Sequence, residues 1–378
     1  MMQIASLTWI EINKEAFEHN AMQLRKIVGP HTIIAPVLKS NAYGHGLHQM
    51  QQLCQENKHV DWTCVVSLSD GITLREKGFK KPILVFGYCD VDPFQAVLHA
   101  IDVVAFDIHL LKALSKAACS LGRPAYVHIK IDTGMSRLGI FAQQVLQLYE
   151  YADSLPGIMV RGICSHLARA GAQDLTITQQ QLERFAHAIS TLEQRGYEVE
   201  YKHMAASAGL FVTQQPAYNF VRPGRQIYGL WTSEASKQRA HHLYPELTIK
   251  PVMTWKCRIV QIKTIPKDQY ISYDGTYKTV ADTTVAILPV GYYEGYSRNL
   301  SNKGLVYLNG HYAPIVGIVC MNLMVIDITH IPDVTLDTPV ILVGDYPHIT
   351  IYEIAERANV VPLEFLTGIS PTIPRIVV

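Results

Sequence analysis

Eight apolar, strand-like runs recur between residues 32 and 222, at 32–38, 62–68, 82–86, 102–106, 125–131, 158–165, 201–206 and 220–222. Helical patterns separate most of them. In 175–195, for example, Leu182, Phe185, Ile189 and Leu192 share one stripe. Eight strands alternating with helices over roughly 200 residues predict a (β/α)8 barrel. The rival is an open doubly wound sheet, but no G-x-G-x-x-G follows the first strand. Near Ala240 the pattern changes. From Lys250 onward the chain reads as strands with turn residues between them, at 252–264, 283–289, 304–308, 312–329 and 339–343, with one short helical pattern at 351–357. The expected architecture is α/β plus β: a TIM-like barrel over 13–240 and a β-rich domain over 241–378. The alternating segment 7–12 lies outside the eight runs, so 1–12 is expected to add a strand to the second domain.

Composition narrows the function classes. Hydrophobic residues make up 48% of the chain and charged residues 17%, enough apolar material for two cores. A net charge of +1 with no basic block gives nucleic acid nothing to bind. The N-terminus has none of the features of a signal peptide, and no apolar run is long enough to span a bilayer. Seven cysteines with no C-x-x-C pair read as reduced thiols, which fits a cytoplasmic protein. His45-x-x-His48 and His241-His242 are too sparse for a zinc site, so no metal is expected.

In a barrel of this type the reacting groups sit at the carboxyl ends of the strands. Lys39 follows the first run. Lys130 and Asp132 end the fifth, with Arg137 just beyond. His166 ends the sixth, Ser207 follows the seventh, and Arg222 and Gly224 end the eighth. Each has an ordinary explanation as a strand-end polar residue; together they ring one rim around a lysine. A lysine at the end of a buried strand sheds its charge more readily than one on the surface, as a Schiff-base lysine must. Barrels of this kind often hold phosphate on the loops after strands seven and eight. Here those loops offer the hydroxyl of Ser207 and close backbone approach at Gly209 and Gly224, with Tyr43 on the strand-one side.

The strings at these positions resemble one family. V-L-K39-S-N-A-Y43-G-H-G is similar to the lysine motif V-K-A-N-A-Y-G-H-G of alanine racemases, which carry pyridoxal phosphate (PLP). V-H-I-K130-I-D-T-G-M-S-R137-L-G resembles the family's V-H-I-K-V-D-T-G-M-G-R-L-G, H-M-A-A-S207 its H-x-A-N-S, and R222-P-G224-R225-Q-I-Y-G its R-P-G-[IL]-x-[LM]-Y-G. In the later half, S-Y273-D-G-T-Y resembles V-S-Y-G-x-T-Y, and P-V-G-Y292-Y-E-G-Y and G-I-V-C-M321-N resemble P-[IV]-G-Y-A-D-G-[YW] and G-R-[VI]-[CS]-M-D.

The resemblance implies a PLP-dependent racemase interconverting L- and D-alanine, which supplies D-alanine for peptidoglycan. Lys39 would be one base and Tyr273 the other. Tyr43, Ser207, Gly224 and the backbone N–H of Arg225 would hold the phosphate. Arg222 would face the pyridine nitrogen, with His166 against it. A guanidinium keeps its proton, so it leaves that nitrogen bare and makes the cofactor a weaker electron sink. Arg137 and the Met321 N–H would take the substrate carboxylate, and Tyr292 would narrow the entrance. A carbamate on Lys130 would pair with Arg137. Second-domain residues reach the partner's site in this family, so a homodimer with shared sites is expected.

Four positions depart from the family's pattern. Ser136 stands where glycine is usual, Ala206 replaces Asn, Asn322 replaces Asp, and Leu363 stands at a tyrosine that normally contacts the phosphate and crowds the substrate. These leave open a specificity shifted toward serine or another small amino acid. A PLP-dependent amino-acid decarboxylase is the further rival. Such enzymes carry an acidic partner for the ring nitrogen, where this chain has Arg222.

Overall fold

A computed structural model describes residues 6–213 and 218–378; residues 1–5, the start of the expected N-terminal segment, lie outside the described residues. The chain divides into two compact units. One comprises Glu15–Lys39 and Gln51–Lys250. The other comprises the described residues up to Lys14, Ser40–Met50 and Pro251–Val378.

The first unit is a closed parallel barrel. Strands Thr63–Ser67, Ile83–Tyr88, Asp102–Ala105, Ala125–Asp132, Ile158–Cys164 and Tyr201–His203 follow one another in a single parallel sheet. Ile33–Ile34 and Phe220–Val221 pair in parallel. Single bridges close the ring, Val37 to Cys64 on one side and Ala206 to Arg222 on the other. The eight apolar runs thus become the eight staves. Those containing 33–34 and 220–221 are regular for only two residues each. Prolines explain this, because Pro36 and Pro223 have no N–H to give the ladder. Ile34, Leu38, Val65, Leu84, Val103, Ile129 and Ile163 are all buried, as expected for strands covered on both faces.

The second unit is β-rich. Its main sheet runs His311–Pro314, Leu305–Leu308, Val340–Val343, Met253–Cys257, Thr8–Ile12, Arg375–Val377. The single run expected over 252–264 is two strands. Met253–Cys257 belongs to the main sheet, whereas Gln261–Ile265 pairs with Thr283–Leu288 in a separate three-stranded sheet. The chain changes sheets between them. Helix Ile351–Ala358 is closed by a Thr350–Glu353 capping box and the left-handed Asn359. A second helix, Pro362–Gly368, follows directly; the sequence reading had no helix there.

The residues after Lys39 adopt an uncommon conformation. Ser40, Asn41, Ala42 and Tyr43 all lie in the left-handed region, with φ between 51° and 55°. Each non-glycine residue there costs about 1–2 kcal/mol, so something must hold the turn. Asn41 accepts the Leu47 N–H on its side-chain oxygen at 2.8 Å. Gly44 is pressed so closely on Leu366 that an added Cβ would stand 2.2 Å from the Leu366 carbonyl oxygen. Arg375 donates to the Gly44 carbonyl from Nε (3.2 Å) and Nη2 (3.0 Å), and from Nη1 to the carbonyls of Ser370 (2.7 Å) and Ile373 (2.6 Å).

Candidate active site

A cavity of about 330 Å3 opens at the carboxyl ends of the barrel strands. Its wall includes Lys39, Phe86, Tyr88, Lys130, Asp132, Arg137 and His166. Burial, then the nearby Arg137 and Arg225, lower the pKa of Lys39. That favours the neutral amine, the form able to act as nucleophile or base. Lys130 is 5% exposed, and its pKa falls to about 8, chiefly through burial and with Arg222 and Arg137 adding to the effect. His166 is held neutral by burial and by the cations around it, Arg222, Lys130, Arg137 and Lys39.

The loop that carries Arg137 is shaped by Asp132. Its Oδ1 accepts the N–H groups of Gly134 (2.9 Å), Met135 (2.9 Å) and Ser136 (3.1 Å). Burial works to raise the Asp132 pKa, but these N–H groups outweigh it and hold it below the usual value. Gly139, at φ +121°, lets the loop return against the strand, because a Cβ would stand 2.7 Å from the Asp132 nitrogen. Ser136 sits at φ +54°, which explains why glycine is usual there. Ser136→Gly is expected to stabilise the protein by about 0.5–1 kcal/mol, read as a higher thermal midpoint.

On the far side of the barrel, Ser207 Oγ accepts the N–H groups of Gly224 (3.0 Å) and Arg225 (2.8 Å). Both backbone donors are thus spent on the Ser207 oxygen, and the hydroxyl hydrogen is left to donate elsewhere. Arg222 is 2% exposed. Its Nη2 donates to the Ser165 carbonyl at 2.7 Å and its Nη1 to His203 Nδ1. The sequence assigns no role to His203, whereas His166, expected beside Arg222, has that guanidinium as the strongest charge acting on it. Gln181 was also missed. It is fully buried on helix Thr176–Glu193, donates to the His166 carbonyl (3.0 Å) and accepts the Ala168 N–H (2.8 Å). A glutamine on the apolar stripe of that helix was the available signal.

The second unit gathers its own candidates. Tyr292 N–H donates to the Cys320 carbonyl (3.0 Å), Tyr293 N–H to the Met321 carbonyl (2.9 Å), and Ser272 Oγ to the Ile318 carbonyl (2.8 Å). These bonds bring segments 272–275, 291–293 and 317–322 to one corner. Tyr273, Tyr292 and Met321 are exposed there, as are Tyr270, Tyr293 and Leu323. Asn322 donates to Glu294 Oε1 at 2.8 Å. An aspartate at 322 would set two carboxylates against each other, so the neutral residue suits its neighbour. Tyr43 is buried within the left-handed turn, and Leu363 is half-buried on Pro362–Gly368. Among the described residues, no group of three or more His, Cys, Asp or Glu could hold a metal ion, and no helix is long and apolar enough to cross a membrane.

Comparison with known proteins agrees along the chain. The profile described as alanine racemase, N-terminal domain, matches residues 12–231, and that of the C-terminal domain matches 252–377. Alanine racemase 2 of Caldanaerobacter subterraneus subsp. tengcongensis is 34% identical over 373 residues, covering 98% of this chain and 94% of that protein. Alanine racemase of Halothermothrix orenii is 35% identical, covering 99% and 97%. Among solved structures, alanine racemase of Clostridium difficile 630 superposes with a TM-score of 0.92 at 29% identity, covering 100% of this chain and 97% of that one. The Bacillus anthracis alanine racemase with bound L-Ala-P gives a TM-score of 0.85 at 26% identity, covering 100% and 96%. The chain belongs to the alanine racemase family, a family of isomerases.

Proposed function

We propose that this protein racemises alanine with pyridoxal phosphate, using two bases on opposite faces of the substrate Cα. The observation that carries the reading is the cavity wall in which Lys39, its pKa lowered by burial, stands with Arg137. The residues present fit the cofactor. The Ser207 hydroxyl gathers the N–H groups of Gly224 and Arg225 along one loop edge, and these three donors would turn from one another to a bound phosphate. Arg222 has further N–H donors for a ring nitrogen beyond those given to Ser165 and His203. When bound, the cofactor supplies an aldehyde for the substrate amine and a conjugated ring that accepts the electron pair left at Cα.

The chain's residues do the rest. Lys39 Nζ takes or returns the Cα proton on one face. The partner subunit's Tyr273 does so on the other, at its hydroxyl. Ser207, Gly224 and Arg225, with Tyr43, anchor the phosphate. Arg222 would face the ring nitrogen as a hydrogen-bond donor and keep its own proton, with His166 beside it. Arg137 and the N–H of the partner subunit's Met321 orient the carboxylate, and the partner subunit's Tyr292 narrows the way in. Carbamylated Lys130 holds Arg137, and its low pKa supports this, since only the neutral amine reacts with carbon dioxide. In this division of labour 13–240 carries the cofactor and 241–378 serves the other subunit of a homodimer. The exposed cluster of tyrosines, Met321 and Leu323 supports such a contact. The product would feed peptidoglycan.

The test is chiral analysis after the cofactor-loaded protein is incubated with L-alanine and, separately, L-serine. D-alanine forming much faster supports the reading. D-serine matching it would mean that Leu363, Ala206 and Asn322 have retuned the pocket. No racemisation of either amino acid would sink it.

A further inference from the structure

A line of hydrogen bonds runs through the buried interior of the barrel from Arg222. Arg222 Nη1 donates to His203 Nδ1. His203 Nε2 meets His128 Nδ1 at 2.8 Å, and His128 Nε2 meets Asp102 Oδ2 at 3.4 Å. Asp102 Oδ2 also accepts Arg161 Nη1 at 3.2 Å. His128, His203 and Asp102 are all buried. Arg222 follows Phe220–Val221, at the carboxyl-end rim, whereas Asp102 is the first residue of Asp102–Ala105, at the other end. There Arg161 lies over the rings of Trp62 (5.1 Å), Tyr126 (4.9 Å) and Tyr201 (5.1 Å) and also bonds Glu200 at 3.2 Å and the Tyr201 hydroxyl at 3.0 Å.

Only one arrangement of protons satisfies this line. A guanidinium can only donate, so His203 Nδ1 is bare and its Nε2 carries the hydrogen. His128 Nδ1 must then accept, and His128 Nε2–H donates to the Asp102 carboxylate. Reversing the direction would set an N–H of His203 against an N–H of Arg222. Burial, and next the adjacent Arg222, hold the His203 pKa well below its usual value, in keeping with a neutral ring. Barrel interiors are ordinarily filled with branched aliphatic residues, and a buried polar chain is tolerated only when every member is paired. A carboxylate that binds one imidazole nitrogen fixes the tautomer and so what the other nitrogen presents.

We propose that Asp102 is a positioning residue for Arg222: by accepting from His128 it fixes the tautomers of both buried imidazoles, so that Arg222 meets a bare nitrogen and is held charged and in one orientation. This rests on the reading of Arg222 as the partner of the cofactor's ring nitrogen. Asp102 stands at the other end of the barrel from the cavity, so its effect passes through the two histidines.

The experiment uses holoenzyme labelled with 15N at histidine, with signals assigned through His128→Gln and His203→Gln. Both rings are expected to be neutral and protonated at Nε2. A wild-type His203 that is protonated at Nδ1, or at both nitrogens, overturns the proposal without any test at Asp102. Asp102→Asn keeps the shape but adds an amide that can donate. It is expected to admit the reverse tautomer, to shift the visible absorption of the bound cofactor, and to lower kcat about 10–100-fold with KM little changed. Cofactor absorption and kcat at wild-type values in Asp102→Asn overturn the proposal. Arg222→Lys, measured alongside, separates the two failures. A cofactor spectrum unmoved by that change removes the reading of Arg222 and the proposal with it. A spectrum moved by Arg222→Lys but not by Asp102→Asn removes the relay alone.

Discussion

Tyr273→Phe is expected to slow alanine racemisation by about 10²–10⁴-fold, the range one positioned proton donor supplies. The substitution removes a single hydroxyl from a side chain that is 69% exposed, so no core packing is lost. The loop's anchor, Ser272 Oγ on the Ile318 carbonyl, is untouched. Thermal midpoint and cofactor content should therefore match the wild type, which makes the rate loss interpretable. With Lys39 as the remaining base, the variant should exchange the Cα proton with deuterium from solvent in one enantiomer without forming the other. Mass spectrometry of each enantiomer in heavy water reads this directly. Wild-type racemisation in the variant would remove Tyr273 from the mechanism, and exchange lost from both enantiomers would contradict Lys39 as an independent base.

Arg375→Ala is expected to destabilise the fold by about 3–5 kcal/mol, because it leaves several buried carbonyls unpaired at about 1–3 kcal/mol each. Arg375 is 8% exposed, and its pKa falls to about 10 through burial. It is surrounded by the carbonyls of Gly44, Ser370 and Ile373, and its own carbonyl accepts from Gln49 Nε2 at 2.9 Å. Truncation strands those carbonyls and opens a cavity beside Gly46, whose ideal Cβ would lie 3.3 Å from Arg375 Cγ. Arg375→Lys should recover only part of the loss, because an ammonium lacks the planar fork that serves several carbonyls at once. Thermal unfolding and limited proteolysis between residues 40 and 50 measure it. A midpoint within a degree or two of wild type would show that the left-handed turn holds itself.

The barrel was legible because each stave is a short apolar run and the helices between them keep a 3.6-residue stripe. The rim residues were legible for a topological reason: strand ends in such a barrel all face one side. What escaped depends on groups far apart in sequence. Nothing in S-N-A-Y announces four left-handed residues, since the usual signal is glycine and only Asn41 tolerates the region readily. His203 carries no signal of its own in the sequence, because its partner His128 lies 75 positions earlier. The switch of sheets near 258–260 left only a faint mark: apolar residues fall on odd positions through Ile259 and on even positions at Val260 and Ile262, a one-residue slip that is easily read through as one strand. Helix Pro362–Gly368 is too short for a periodic stripe to stand out.

The bond between Gly44 and Arg375 spans 331 positions. At a synthesis rate of about 5–20 residues per second, a ribosome therefore makes the clamp on the order of tens of seconds after the turn it holds. During that interval 40–46 is a nascent segment whose non-glycine residues favour ordinary right-handed or extended backbone. Segment 40–46, early in the message, is thus among the last parts of its unit to take its final shape. A polypeptide stalled short of that codon carries residues 40–46 without the Arg375 contacts that hold them.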